Sequence, residues 1–288
     1  MTTVDSHHHL WPLDVIDRQP WRPVDDAVLR REFELPEFEA ELERSAVDGS
    51  IVMQSVDHAD ENHRLAAYAA ASDRILGWVG YADLPNPEVA LREVNALLEM
   101  RDVPGGEKLV GVRCLVGSDP MEWTAGPDGL SALEAAAAGG LTWDVVPITD
   151  EQVAAVCRVA ARLPGLRIVV DHLASPPVDD ATAHDAWQGR VNRLAAHPNV
   201  AIKLSVGVAV LQRWSGWDDV ALRRAVAAAL EAFGSGRCML ASNWPVVLLR
   251  ASHADAWRSV RDAVRDLDDA SRSDVEGATA LRWYGVTA

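Results

Sequence analysis

The sequence predicts a (β/α)8 TIM barrel, an α/β fold, formed by a single domain over residues 1–288. Eight short apolar runs alternate with longer amphipathic segments along the chain. The length of 288 residues suits such a barrel, which takes roughly 250 residues or more as one unit. Polar side chains directly follow most of the apolar runs, and strand ends are the positions that carry active sites in these barrels.

The apolar runs are interpreted as strands because they are short, aliphatic and often bounded by Gly or Pro. They span residues 3–5, 50–54, 75–81, 109–115, 141–146, 166–171, 200–204 and 237–241. The intervening segments have apolar residues at helical spacing, as in residues 35–46, 59–71, 87–100, 151–161, 221–233 and 253–268.

Strands that alternate with helices form parallel βαβ units, and eight units close a barrel more readily than they extend an open sheet. An open doubly wound sheet is the alternative, because periodicity does not prove closure. No glycine-rich phosphate motif follows the first strand, which argues against dinucleotide binding. Residues 11–33 form a long connection that carries Trp11 and Trp21, so we expect a loop over one mouth of the barrel.

The composition is that of an ordinary globular protein, with 49% apolar and 24% charged residues and a net charge of −16. Lys108 and Lys203 are the only lysines, and the chain lacks the clustered cations that nucleic acids and anionic membranes bind. The sequence has three cysteines, no signal-peptide pattern and no apolar stretch near the ~20 residues that span a bilayer. We therefore expect a cytoplasmic protein that acts on a small molecule, with a homo-oligomer left open.

Two histidines at the end of the first strand are the main candidates for chemistry. His7 and His9 are two residues apart, so their side chains point to the same face of an extended strand. Converging imidazoles suit a divalent metal such as Zn²⁺. His172 follows the sixth strand and could be a third ligand or a general base. The alternative for residues 7–9 is an exposed polar triplet or a cloning remnant.

Further polar side chains end other strands, and we expect Gln54, Arg113, Asp144 and Lys203 to bind substrate. Arg113 could bind a carboxylate bidentately or pair with a nearby acidic residue. Lys203 could be a buried pocket cation or a surface lysine. Asp144 and Asp171, both at strand ends, could each act directly, orient a histidine or cap a helix.

Tryptophan is unusually frequent, with 11 residues against three Phe and three Tyr. Trp11 and Trp244 lie next to strand ends and predict an aromatic-lined, substrate-binding pocket. Packing of helices onto the barrel is the alternative for these side chains.

Six short motifs follow in order along the whole chain, and together they are specific although each is weak. They are Val4-Asp5-Ser6-His7-His8-His9-Leu10-Trp11, Gly111-Val112-Arg113, Val170-Asp171-His172-Leu173, Lys203-Leu204-Ser205, Ser242-Asn243-Trp244-Pro245 and Arg282-Trp283-Tyr284-Gly285. They resemble the motifs of the amidohydrolase-related family, in the branch of sugar lactonases and 2-pyrone-4,6-dicarboxylate lactonase. The resemblance implies a (β/α)8 barrel.

The resemblance also implies that His7, His9, His172 and Asn243 are the catalytic residues. The three histidines would be the metal ligands, with His172 also a candidate base. Asn243 replaces the family's eighth-strand aspartate, which in hydrolytic members binds metal or takes a proton from water. An amide offers a carbonyl oxygen to a metal but is no base at neutral pH. We therefore expect a divalent metal, Zn or Mn, with a metal-free mechanism as the alternative.

The leading functional hypothesis is a hydrolase that opens a lactone or related cyclic ester of a small polar acid with activated water. Esters need less activation than amides, so a site without the aspartate could still open one. Arg113 would bind a substrate carboxylate or carbonyl oxygen, and Asn243 would orient water or substrate. The alternatives are a decarboxylase or lyase for an unsaturated or aromatic acid, and a non-catalytic ligand-binding barrel.

Overall fold

The computed structural model describes residues 2–23, 26–178 and 180–287, and its eight strands are all parallel and pair in chain order. The strands are β1 (Val4–His8), β2 (Gly49–Met53), β3 (Ile75–Tyr81), β4 (Leu109–Arg113), β5 (Thr142–Val145), β6 (Arg167–Val170), β7 (Val200–Leu204) and β8 (Cys238–Leu240). β1 meets the segment after β8, where the Asn243 N–H donates to His7 O at 2.9 Å and the His9 N–H to Trp244 O at 2.7 Å. The predicted barrel is confirmed, because a doubly wound sheet would not keep chain order.

Helices follow the strands and pack around the barrel. They are α1 (Leu35–Arg44), α2 (Asp60–Ala71), α3 (Ala90–Glu99), α4 (Pro127–Ala138), α5 (Asp150–Arg162), α6 (His184–Ala195), α7 (Val208–Arg213), α8 (Asp219–Phe233), α9 (His253–Val264), α10 (Asp269–Ser273) and α11 (Thr279–Tyr284). Side-chain caps fix the first residues of several helices. Thr149 and Gln152 form a capping box at α5, while Asp218 and Ser252 cap α8 and α9. The six helical segments predicted from the sequence are all present.

The strands are buried on both faces, which explains why they appear in the sequence as continuous apolar runs. Alternate side chains of one strand enter different layers of the core. Ile51 and Met53 pack in a cluster with Val79 of the next strand, whereas Val52 and Trp78 join the larger cluster that includes helix residues.

The described part of residues 11–33 forms a connection that reaches the cavity at one mouth of the barrel. Trp11 and Phe33 form an antiparallel bridge, and the Trp21 indole N–H donates to Ser55 O at 2.7 Å. Residues 24 and 25 lie outside the described residues. In the described ranges, no helix is long and apolar enough to cross a membrane.

Candidate active site

The end of β1 directs alternate histidines to opposite sides. The Nε2 atoms of His7 and His9 lie 3.1 Å apart, with the two rings nearly perpendicular. The His8 ring points the other way and stacks on Phe38 with 3.7 Å between ring centroids. This separation follows from the two-residue period of an extended strand, and it brings His7 and His9 together as the sequence predicts.

His172 approaches the same point from the end of β6. Its ring centroid lies 4.4 Å from that of His7, and its Nδ1 lies 2.8 Å from Ser205 Oγ. The chain from His172 to Ser175 has positive φ angles of 51–58°, a left-handed turn that non-glycine residues rarely adopt. A Cβ at Gly207 would lie 3.1 Å from His172 Cδ2, so glycine lets the chain after β7 lie against the ring.

Asn243 follows β8 with a φ of 57°, a left-handed conformation that Asn tolerates better than most residues. Its side-chain Nδ2 donates to Val206 O at 2.8 Å. Its Oδ1 is buried and has no hydrogen-bond partner among the described residues. An unpartnered buried acceptor is uncommon and indicates a position reserved for a ligand, a water or an ion.

Charged side chains form a buried cluster beneath the histidines. The Lys203 Nζ lies 2.7 Å from Asp144 Oδ2 and 2.9 Å from Asp171 Oδ1, and these three side chains are fully buried. The Arg113 Nε lies 3.3 Å from Asp171 Oδ2. Tyr284 donates its hydroxyl to Asp144 Oδ2 at 2.5 Å. Asp171 is therefore shared by two cations, and Lys203 is a paired core residue rather than a surface lysine.

Burial and these pairings determine the protonation states. Burial acts to raise the pKa of Asp171, but Lys203, His7 and Arg113 together hold that pKa well below its usual range. Burial raises the pKa of Asp144, whereas its hydrogen bonds from Lys203 and Tyr284 favour the carboxylate. Asp171 is thus held as a carboxylate at neutral pH, whereas the pKa of Asp144 is raised overall.

Burial also keeps the histidines neutral. It lowers the pKa of His7 and of His9 well below the ordinary value, and it lowers the pKa of His172 to about 3. Neutral imidazole is the form that binds metals or accepts a proton.

The tautomers of His7 and His9, the β1 pair, depend on the group that each Nδ1 contacts. The Nδ1 of His9 lies 3.0 Å from the carbonyl oxygen of Met53, so it carries the proton and Nε2 keeps its lone pair. The Nδ1 of His7 lies 3.3 Å from Asp171 Oδ1 and 3.2 Å from Lys203 Nζ. With the proton on Nδ1 toward Asp171, His7 also presents a free Nε2, which is the usual arrangement of a metal-binding histidine.

The donor atoms present fit a divalent metal such as Zn²⁺ or Mn²⁺. Two nitrogens bound to one Zn²⁺ at about 2.0–2.1 Å lie within roughly 4 Å of each other, and the His7–His9 separation satisfies this limit. His7, Asp171 and His172 offer ligand atoms that all lie within 4.8 Å of one another. The unpartnered oxygen of Asn243 adds a neutral acceptor.

These groups lie at the floor of a cavity of about 860 Å³, measured with its open mouth. Of the residues predicted from the sequence, five line it directly: His9, Gln54, Arg113, His172 and Asn243. His7 lies just beneath them and is fully buried.

The other four predicted substrate contacts do not line this cavity. Asp144 and Lys203 are buried in the ion-pair cluster and do not line the cavity. Trp11 donates its indole N–H to Arg31 O, and Trp244 packs 5.1 Å from the Phe38 ring. Both indoles are fully buried because they pack in the hydrophobic core and do not face the cavity.

The prediction from sequence gives no role to Ser205 and Tyr284, and it leaves open whether Asp171 acts directly, orients a histidine or caps a helix. Asp171, Ser205 and Tyr284 contact His7, His172 and Asp144, respectively. Each of the three stands in one of the short motifs, which is the signal that could have identified them.

Comparison with known proteins identifies the family of this chain. The Amidohydrolase family model matches residues 4–286. An L-fucono-1,5-lactonase from Burkholderia multivorans is 31% identical over 98% of this chain and 96% of its own. Another from Burkholderia ambifaria is 28% identical over 98% and 95%. A crystal structure of an amidohydrolase from Burkholderia multivorans with bound zinc has a TM-score of 0.88 at 28% identity, with both chains covered completely. The chain belongs to the amidohydrolase family.

Proposed function

We propose that the protein is a hydrolase that opens lactones. Water adds to the carbonyl carbon of the cyclic ester, the bond between that carbon and the ring oxygen breaks, and a hydroxy acid forms. The reaction named for the two Burkholderia relatives supports this class. The observation that carries the proposal is the convergence of neutral histidine nitrogens with the unpartnered Asn243 oxygen at the cavity floor.

The β1 pair is the candidate metal-binding element. His7 and His9 would ligate the metal through their Nε2 atoms. A divalent metal bound there polarises an ester carbonyl and lowers the pKa of a water molecule. Asp171 and Met53 O supply the outer contacts that orient the two rings.

We assign His172 the role of proton acceptor. With its proton on Nδ1 toward Ser205, its Nε2 carries the lone pair that a base requires. The lowered pKa keeps this imidazole neutral before reaction. As water adds, negative charge develops on the ester oxygen, and that charge favours the protonated imidazole in the transition state.

Arg113 and Asn243 act on oxygen atoms of the reactants. Arg113 donates one amino group to Gln54 O at 3.0 Å, which leaves its other amino group to donate to the ester carbonyl. The Asn243 Oδ1 accepts a hydrogen bond from the attacking water and orients it. Because the amide cannot take a proton, this role differs from that of a carboxylate at the same position.

The test is a lactone panel assayed on untagged protein, with bound metal measured by elemental analysis and with chelator added in parallel. We expect lactone opening that is lost together with zinc or manganese. If chelator did not change the activity, the metal would have no part in the reaction, and the histidines would act as acid and base. Absence of both metal and lactone opening would reject the proposal, and unsaturated acids would then be the next substrates.

A further inference from the structure

The cavity has a polar floor and an apolar wall. The wall is built from the segments that follow β4, β5 and β8 and from the start of α7. Its side chains include Leu115, Val116, Val146, Ile148, Val208 and Val246. A substrate that reaches the histidines therefore lies with its remaining atoms against aliphatic side chains.

The polar side chains around this wall are few and partly engaged. Ser55 Oγ donates to Glu61 Oε1 at 2.6 Å and accepts from Gln19 Nε2 at 3.3 Å. Gln54 Nε2 donates to Asp57 Oδ1 at 2.5 Å, which leaves its Oε1 without a partner among the described residues. Ser175 is a further hydroxyl on the wall, but one hydroxyl does not satisfy a ring that has several. Gln54 Oε1 and Ser175 could serve one or two hydroxyl groups, but the others of a sugar ring would lose their water without gaining partners, which is unfavourable.

The floor also has no surplus positive charge from the protein. Arg113 is the one Lys or Arg that lines the cavity within the described residues. Its charge and that of Lys203 are balanced by Asp171 and Asp144. With the ester at the floor, a carboxylate elsewhere on the ring would lie against the aliphatic wall and would have to leave water without a cation to receive it.

From these features we infer the substrate class, an inference that rests on the proposed lactone opening. The substrate is an uncharged lactone whose ring carries an alkyl or aryl substituent, rather than a polyhydroxylated sugar lactone or a lactone with a carboxylate. The ester group meets the floor, where Arg113, His172 and Asn243 lie, and the substituent packs on Val116, Ile148 and the rest of the wall.

The experiment compares three lactones of similar size, using proton release to follow ring opening with zinc or manganese supplied. They are δ-octalactone, L-fucono-1,5-lactone and 6-oxooxane-2-carboxylate. We expect kcat/KM for δ-octalactone to exceed that for L-fucono-1,5-lactone by about 100-fold, the discrimination an apolar pocket achieves against added hydroxyl groups. A higher value for either polar lactone overturns this inference but leaves the proposed function standing. If none of a wide lactone panel opens, the proposed function itself fails.

Substitutions on the wall make the test specific to the cavity. Ile148→Asn and Val208→Asn affect half-buried side chains, so they should leave folding intact, as thermal unfolding can verify. Each should lower kcat/KM for δ-octalactone about tenfold, because it replaces apolar contact with an amide. Leu91→Asn, at an exposed leucine on α3, is the matched control and should change nothing. An unchanged preference in both wall variants would also overturn the inference.

Discussion

The Nε2 atom of His7 lies 3.1 Å from the Nε2 atom of His9. His8, between them in the chain, points to the opposite face and stacks on Phe38. His8 is therefore a control for metal binding by His7 and His9. His9→Ala should weaken zinc affinity by about 100-fold or more, since it removes a ligand rather than an outer contact. His8→Phe should leave zinc affinity unchanged.

Elemental analysis and zinc titration of untagged protein measure this difference. Thermal unfolding of each variant shows whether the fold is retained. Equal zinc affinity in the parent and in His9→Ala would mean that the β1 pair does not hold the metal.

Asn243→Asp tests why an amide follows β8. Asn and Asp both tolerate the left-handed backbone found there, so the change alters mainly the side-chain chemistry. The Nδ2 that donates to Val206 O at 2.8 Å would become an oxygen facing that carbonyl oxygen. We expect a loss of about 1–3 kcal/mol in the free energy of unfolding without metal.

Zinc should restore much of the lost free energy of unfolding, because a negatively charged carboxylate attracts the cation more strongly than a neutral amide oxygen does. Denaturant unfolding with and without zinc measures both effects. If the variant were as stable as the parent without metal, the Val206 hydrogen bond would not contribute as the geometry indicates.

Lys203 is expected to be essential for stability. Lys203→Met leaves Asp144 and Asp171 buried with one cation fewer, and breaking a buried pair in this way costs about 3–5 kcal/mol. Lys108→Met is the matched control, since Lys108 is the other lysine and donates to backbone carbonyls of Ala69 and Ser72 at the surface. It should cost about 1 kcal/mol.

The double variant Lys203→Met/Asp144→Asn separates charge from packing. It restores the charge balance, so it should recover part of the lost stability. A double variant less stable than Lys203→Met alone would show that unpaired charge is not the cause.

The barrel and the positions of the β1 histidines could be predicted because both depend on local periodicity. Apolar runs alternate with helices along the chain, and residues two apart on a strand share a face. The motif order then identified His172, Arg113 and Asn243 without any knowledge of their contacts.

The remaining features depend on distances between strands, which periodicity does not contain. Asp171 forms ion pairs with both Lys203 and Arg113 only because β4, β6 and β7 bring the charged atoms of the three side chains within 3.3 Å. Trp11 and Trp244 stand next to strand ends, yet they pack on Phe33 and Phe38 in the core. A position next to a strand end does not specify which side of the barrel wall a side chain occupies.

His8 should make the protein sensitive to acid. Its ring is fully buried, both ring nitrogens lack hydrogen-bond partners among the described residues, and burial lowers its pKa to about 3. The unfolded chain protonates this histidine below a pKa of about 6.5, whereas the folded chain does not until about 3. Stability is therefore unaffected by His8 above pH 6.5 and falls as the pH decreases through that window.

Between pH 7 and pH 5, His8 alone should account for a loss of about 2 kcal/mol in the free energy of unfolding. His8→Phe keeps an aromatic ring against Phe38 and removes the titration, so its stability should fall by that much less over the same interval. Denaturant unfolding at the two pH values gives the comparison. His63→Phe, at an exposed position on α2, should leave the difference unchanged. If His8→Phe and the parent lost equal stability, the His8 ring would have to take up its proton in the folded state without unfolding the site.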